Sequence, residues 1–485
     1  MQLPVVASVF GAGRLIGPGK TLDTMTPSRI IRHGTYDRAR IKHSVDGFLG
    51  EQADLLEPLL SAGEDGLAVV KPNWLSPSHQ HHVDEWRSVI ANPVVVLAVV
   101  EVLAERMRGR GSIAVCDAPT TQADFDAIVA RGNFRAEFER LSARFPRMRL
   151  EILDLRREIW LAREEVIVDR RRNVEDPRGY SALDLATDSL FYGHRGEGRY
   201  FGADYDADVV NEHHRGQSHE YLLSGTAIRS HLFINVPKLK THRKTGLTCC
   251  LKNLVGINGD KNWLPHHTQG YPHNGGDEFT DARPTFQLER WAKRAGQKLA
   301  VALPGLGPWL YRKARNTGKT VLGDSRTVIR NGNWSGNDTC WRMVLDLNRA
   351  LLYGNPDGTW RGGEAAKPYI AIVDGIVAGE GMGPSAPDPV DAGVLVMGTN
   401  PGDVDAVACR LMGYDPSVLP MVREAFGPHR WPISADTLNG VTVLDERCGR
   451  EVGLSEVEPA VPGGFAPHFG WVDLLRPDSK SLTNE

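Results

Sequence analysis

The chain has few cysteines and no pattern among them. Six occur in 485 residues, at positions 116, 249, 250, 340, 409 and 448, and none forms a C-x-x-C pair. A disulfide framework or a cysteine-only zinc site is therefore excluded as an organising principle, and a reducing compartment fits. Cys249 and Cys250 read as small buried hydrophobes. Excess charge is lacking too: 57 Lys and Arg stand against 60 Asp and Glu, a net charge of −3. General nucleic-acid binding depends on a basic surface, so nucleic acid is not an expected partner. No apolar run reaches the length that crosses a bilayer, and the opening "MQLPVVASVFGAGRLIG" has neither a basic leader nor a long apolar core. The expected location is cytoplasmic, with no transmembrane segment.

What the chain does have is a set of short apolar runs that end in polar residues or glycine. "GLAVVKPNW" ends at Lys71 and Asn73, and "SIAVCDAP" at Asp117. "HLFINVPKLKTH" ends at Lys238, Lys240 and His242, and "YIAIVDGIVAGEGMGP" at Asp374, Glu380 and a glycine group. "GVLVMGTNPGDVDA" ends at Asn400, Asp403 and Asp405. Runs of this length with little alternation predict strands buried on both faces. Helical patterns lie between them. Pro93–Gly111 opens with Pro and closes with basic residues and Gly, and "DVDAVACRLMGYDP" offers Asp403 as a cap and Gly413 as a stop. This alternation predicts an α/β fold, a mostly parallel or mixed sheet flanked by helices, with loop-rich insertions. Ligands of such sheets bind beyond the carboxyl ends of the strands, where the polar residues above should gather.

The expected organisation is an N-terminal part of the core over 1–150 and a charged insertion over 151–225. A core strand with a basic motif follows over 226–260, then a His-, Gly- and Pro-rich lid-like insertion over 261–336. The C-terminal part of the core spans 337–450 and a tail 451–485. Within the second insertion, Lys298–Lys319 mixes apolar and basic residues. It reads as a surface helix broken by Pro304 and Gly305, with weak peripheral membrane contact as the alternative.

Four constellations could carry chemistry. The first is "INVPKLKTHRKTGLTCCLKNLVGING", which holds Lys238, Lys240, Arg243, Lys244 and Lys252 with His242 and no acid. In an extended chain Lys238 and Lys240 project to one side, and their repulsion is relieved by solvent or by a phosphate or carboxylate group. Lys238 and Lys240 are the two favoured positions; Arg243 and Lys244 read as solvated neighbours. Lys252, within a predicted helix, needs a partner.

The second is histidine-rich. Nine of the 16 histidines fall between 194 and 273, and "DKNWLPHHTQGYPHNGGDEF" joins His266, His267 and His273 to Asp260, Asp277 and Glu278. Mixed His and carboxylate ligands suit zinc, iron or manganese, though adjacent histidines often point apart. The third is acidic: Asp374 and Glu380 flank a turn in which Gly379, Gly381 and Gly383 let backbone amides approach an anion. Asp405 is free to face a cation or a lysine. The fourth is "NWSGNDTCWRMVLDLNRALLYG", a helical pattern with Asp338 as its predicted cap and Asn337 and Arg342 near its start, where an anion is favoured.

Three blocks, "VVKPNW", "FINVPKLKTHRKTGLTCCLKNLVGI" and "IVDGIVAGEGMGP…VLVMGTNPGDVDAVACRLMGYDP", resemble domain-of-unknown-function family 362, a bacterial and archaeal family. The resemblance implies a shared scaffold and pocket and supplies no established reaction. Some relatives carry ferredoxin-like cysteine clusters; this chain has none, so no iron–sulfur cluster is expected. Its "DKNWLPHH…GGDEF" and "GNDTCWRM" segments look like those of a subgroup associated with biosynthetic pathways.

The sequence thus points to an enzyme acting on an anionic small molecule in a bacterial biosynthetic pathway. Lys71, Asn73, Lys238, Lys252, Asn337, Arg342, Gly381 and Gly383 would bind the substrate, and His242, His266, His267 and Lys240 would transfer protons. A divalent metal (Zn, Mn, Fe or Mg) would sit among His266, His267, Asp277, Asp374, Glu380 and Asp405. Transfer, hydrolysis, and isomerisation or elimination remain open as reaction types. The alternative is a non-catalytic protein that binds an anionic ligand or a pathway partner with the same lysines. Oligomeric state is not readable.

Overall fold

A computed structural model describes residues 27–163, 166–202, 207–282, 329–362, 366–435 and 437–476. Lys298–Lys319 lies outside them. The apolar runs become strands of one 12-stranded mixed sheet. In chain order these are β1 (Ser28–Arg32), β2 (Leu67–Pro72), β3 (Ser112–Asp117), β4 (Arg149–Asp154), β5 (Leu232–Val236), β6 (Lys238–His242), β7 (Gly246–Thr248), β8 (Tyr369–Met382), β9 (Ala386–Val390), β10 (Val394–Gly398), β11 (Thr442–Asp445) and β12 (Arg450–Gly453). The spatial order is β12-β11-β1-β10-β8-β5-β2-β3-β4, with β6 pairing to β7 and to the far half of β8. The block β8-β5-β2-β3-β4 is parallel, and β10 joins β8 antiparallel.

The parallel strands lack polar alternation because both faces are dry. Val69, Ala114, Phe233 and Ala371 enter one apolar core, while Ala68, Val70, Ile113, Ile234 and Ile370 enter the other. Helices α1 (Arg38–Glu51) and α2 (Pro93–Arg106) cover the second face. The short α3 (Cys250–Asn253), α4 (Cys340–Tyr353) and α5 (Pro401–Leu411) cover the first. Each fully buried Val, Leu or Ile contributes about 1.5–3 kcal/mol, so these two cores dominate stability.

Two predicted caps move. Asn400, not Asp403, caps α5: its side chain accepts from the Gly402 amide at 3.1 Å, and Pro401 takes the first helical position. Asp403 instead accepts from the Ala435 amide. At α4, Asn337 accepts from the Cys340 amide at 2.7 Å, while Asp338 turns to Arg342. In both cases an asparagine earlier in the chain, three residues before Asp403 and one before Asp338, reaches the free amides.

Trp471 is buried and donates its indole N–H to the Arg243 carbonyl at 2.8 Å. The sheet edge β4 crosses the start of the segment read as an insertion, so core and insertion share that strand. Among the described residues no helix is long and apolar enough to cross a membrane.

Candidate functional site

Beyond the carboxyl ends of β2 and β3 lies a cavity of about 630 Å³, within the usual range for small-molecule sites. Asn73 and Leu75 enter it after β2, and Asp117 to Gln122 after β3. The end of β6 and the turn after it supply Lys240, His242, Arg243 and Lys244, and α3 supplies Lys252 and Asn253. The histidine-rich insertion closes another wall with His266, His267, Glu278 and Phe279, and Arg330 and Asn331 complete it. The cations Lys240, Arg243, Lys244, Lys252, Lys261 and Arg330 thus face a lining that holds two carboxylates, Asp117 and Glu278.

Strand β6 explains part of this clustering. Lys238, Lys240 and His242 alternate onto one face, and Leu239 turns to the core. Lys238 stays inside the sheet: its ammonium sits 2.5 Å from Asp374, both side chains fully buried, and also reaches the Val377 carbonyl and Tyr36 hydroxyl. Asp374 further accepts from the Tyr36 hydroxyl and the Asn92 amide. Lys240, one step on, donates to the Val89 and Pro384 carbonyls. Burial, and then the charge of Lys238, pushes its pKa well down.

Lys71 is held in the same manner as Lys238. It pairs with Asp117 at 2.8 Å and donates to the Pro72 carbonyl and the Asn253 side chain. Asn253 also bridges Asn73 and Asn235. Gly256 lies flat on this pair, where a Cβ would meet Asp117 Oδ1 at 1.9 Å and Lys71 Nζ at 2.5 Å.

The cations of the turn and of α3 are different. Lys244 donates to the Asn331 carbonyl, and burial followed by the nearby Arg243 charge brings its pKa down to about 7. Lys252 is only 7 % exposed, and no hydrogen bond or ion pair engages its ammonium among the described residues. Its pKa is lowered by burial. Arg243 is open to solvent at the cavity mouth.

The two histidines carry opposite, fixed tautomers. His242 Nδ1 accepts from the Lys244 amide at 3.1 Å, so the neutral ring keeps its proton on Nε2. His266 Nδ1 lies 2.8 Å from the Leu264 carbonyl, which only accepts, so this nitrogen donates and Nε2 carries a lone pair. Burial, and then the charge of Lys252, holds both pKa values well below 6.5. His267 lines the cavity beside His266 and stacks on Phe201 at 5.1 Å between ring centroids.

Of the residues singled out by sequence, Asn73, Lys240, His242, Lys252, His266 and His267 share this cavity. Others serve the framework around it. Asn337 donates to the His266 and Gly332 carbonyls and so fixes the backbone under His266. Arg342 pairs with Asp338 at 3.0 Å and stacks on Trp341. Gly381, at φ +69°, donates its amide to Ala466, and Gly383 packs where a Cβ would lie 2.0 Å from the Thr241 carbonyl. Neither glycine amide faces the cavity.

The six side chains assigned to a metal do not converge. Asp277 accepts from the Thr268 and Asp338 amides and the Thr339 hydroxyl. Glu380 accepts from the Ala466 amide, and Asp374 is engaged by Lys238. Asp405 accepts from the Cys250 and Leu251 amides at the start of α3. Among the described residues, one group brings three ligand-type atoms within 4.8 Å, namely Cys249, Cys250 and Asp405, all buried. Its carboxylate is already bonded to amides and burial raises both thiol pKa values, which fits the expected packing role of the cysteines.

Sequence reasoning read Arg243 and Lys244 as solvated neighbours; Arg243 is indeed exposed, whereas Lys244 is buried, and both line the cavity. The signal available was the turn "RKTG", which swings the chain from β6 back into β7 and so keeps both cations at the strand end. For Arg330 and Lys261 no local pattern marked the site.

The family model described as Domain of unknown function (DUF362) matches residues 197–410. No curated protein matches the chain. The matched span contains β5 to β10, α3, and the cavity residues from Phe201 to Ser385. The lysines and histidines of the cavity all lie within the span that is similar to this family.

Proposed function

We propose that this chain is an enzyme that binds a small molecule bearing phosphate or carboxylate and moves a proton on it. One observation carries the reading: a single cavity joins Lys252, Lys244 and Arg243, which form no ion pair with a carboxylate among the described residues, to two neutral histidines of opposite tautomer. Lys252, Lys244 and Arg243 attract the anion, because among the described residues none of the three forms an ion pair with a carboxylate. His266 Nε2 acts as the base, and His242 Nε2–H donates to the oxygen on which charge develops. Neither ring is protonated near neutrality, so the base is available there. This favours proton-transfer isomerisation or elimination over group transfer.

Calorimetric titration with inorganic phosphate tests the binding half; wild type binds and Lys252→Met binds more weakly. Exchange of deuterium from solvent into a panel of small carboxylates and phosphate esters tests the catalytic half. Exchange lost in His266→Gln supports the enzyme. Phosphate binding with no exchange into any member makes the protein a binder.

A further inference from the structure

The cavity's lysines differ in what holds their nitrogens. Lys240, Lys244 and Lys261 each donate to at least one backbone carbonyl: Val89 and Pro384, Asn331, and Val255 respectively. A carbonyl acceptor favours the charged, donating form and keeps the nitrogen directed at protein. Lys252 has no such acceptor among the described residues, yet it is nine-tenths buried and lines the cavity. An amine in that position loses little on giving up its proton and keeps its lone pair accessible to a ligand.

We infer that Lys252 forms an imine with the substrate, and that the substrate is an anionic aldehyde or ketone. This rests on the anion-binding reading above and specifies its ligand. The groups around Lys252 suit the chemistry. Its charge is the one that weighs most on both His242 and His266, so these rings are its neighbours. Arg243 adds a second positive charge that favours the free amine.

The step balances within these groups. His266 Nε2 takes one proton from the Lys252 ammonium and passes it to the carbonyl oxygen as nitrogen's lone pair forms the C–N bond. It then carries a second proton from the same nitrogen to that oxygen, which leaves as water while the remaining lone pair completes C=N. Lysine ammonium plus carbonyl gives protonated imine plus water, and the positive charge is conserved. His242 Nε2–H holds the oxygen throughout and keeps its proton. The resulting iminium withdraws electrons from the adjacent carbon, and His266 is placed to exchange a proton there.

Reductive trapping tests this. The full chain is incubated near pH 7 with glyoxylate and cyanoborohydride, and peptides are read by mass spectrometry. Carboxymethylation is expected at Lys252 faster than at exposed lysines, by about tenfold for each unit of pKa separating them. Inorganic phosphate should protect Lys252, and acetaldehyde, which lacks the anion, should label it more slowly. Lys252→Arg should lose the modification while Lys244→Arg keeps it, with folding of both checked by circular dichroism. Labelling spread over surface lysines with Lys252 unmodified overturns the inference. If phosphate still binds in calorimetry, only the imine falls; if phosphate does not bind, the anion-binding reading falls with it.

Discussion

Lys238 and Lys252 begin from the same sequence stretch and end in opposite circumstances. Lys238 is fully buried beside Asp374, with every hydrogen-bonding direction met by a carboxylate, a carbonyl or a hydroxyl. Lys252 is nearly as buried and has none of these among the described residues. A buried charge with a good partner belongs to the framework, since removing either member leaves the other stranded in a poor dielectric. A buried charge without one is costly to the fold unless a ligand supplies the partner. The same contrast separates Lys71, paired to Asp117, from Lys244, whose pKa burial lowers to about 7. Charge alone therefore does not mark a binding lysine; the missing carboxylate does.

Substitutions can break this contrast at either end. The largest effect is expected at the paired end. Lys238→Ala should lower stability by about 3–5 kcal/mol, because Asp374 is left buried and unpaired. Urea denaturation reads this, and removing both partners in Lys238→Met/Asp374→Leu should recover part of the loss. Gly256→Ala comes next, at about 1–3 kcal/mol, because its Cβ intrudes on the Lys71–Asp117 pair. At the unpaired end, Lys252→Met should leave the urea midpoint unchanged or raised. It should weaken phosphate binding about tenfold to hundredfold, since a hydrogen bond to a charged group contributes about 1.5–3 kcal/mol. A large stability loss in this variant would place Lys252 with the framework lysines.

The smallest expected effect concerns pH. His242 and His266 titrate below 6.5 when folded, so between that folded value and 6.5 the unfolded chain binds more protons. Stability should therefore decline as pH falls below about 6.5. In Lys252→Met the second cause of the depression is gone and burial remains. Both rings should then titrate closer to 6.5 by NMR, and the decline of the urea midpoint toward pH 5 should be shallower.

Much of the scaffold is readable locally. Val69 and Val70, or Phe233 and Ile234, are adjacent apolar residues because successive side chains of a strand enter two different cores. Helix caps were less legible. Asn400 and Asp403 are both good acceptors, and which of them reaches the first free amide depends on where the strand releases the chain. At the site, the adjacency of His266 and His267 left open whether both face the ligand. Backbone pairing of His267 with Phe201 places both rings on the cavity.

The amino-acid sequence by itself determined that buried strands of an α/β sheet end in lysines, histidines and carboxylates. Apolar patterning and chain parity are local, so they need no knowledge of distant partners. Only the tertiary structure decided which cation is neutralised. Asp374 lies 136 positions from Lys238, and they meet because β6 and β8 align in register. Lys252, carried on the short turn of α3, meets no carboxylate among the described residues, because ion pairing follows distance in space rather than along the chain.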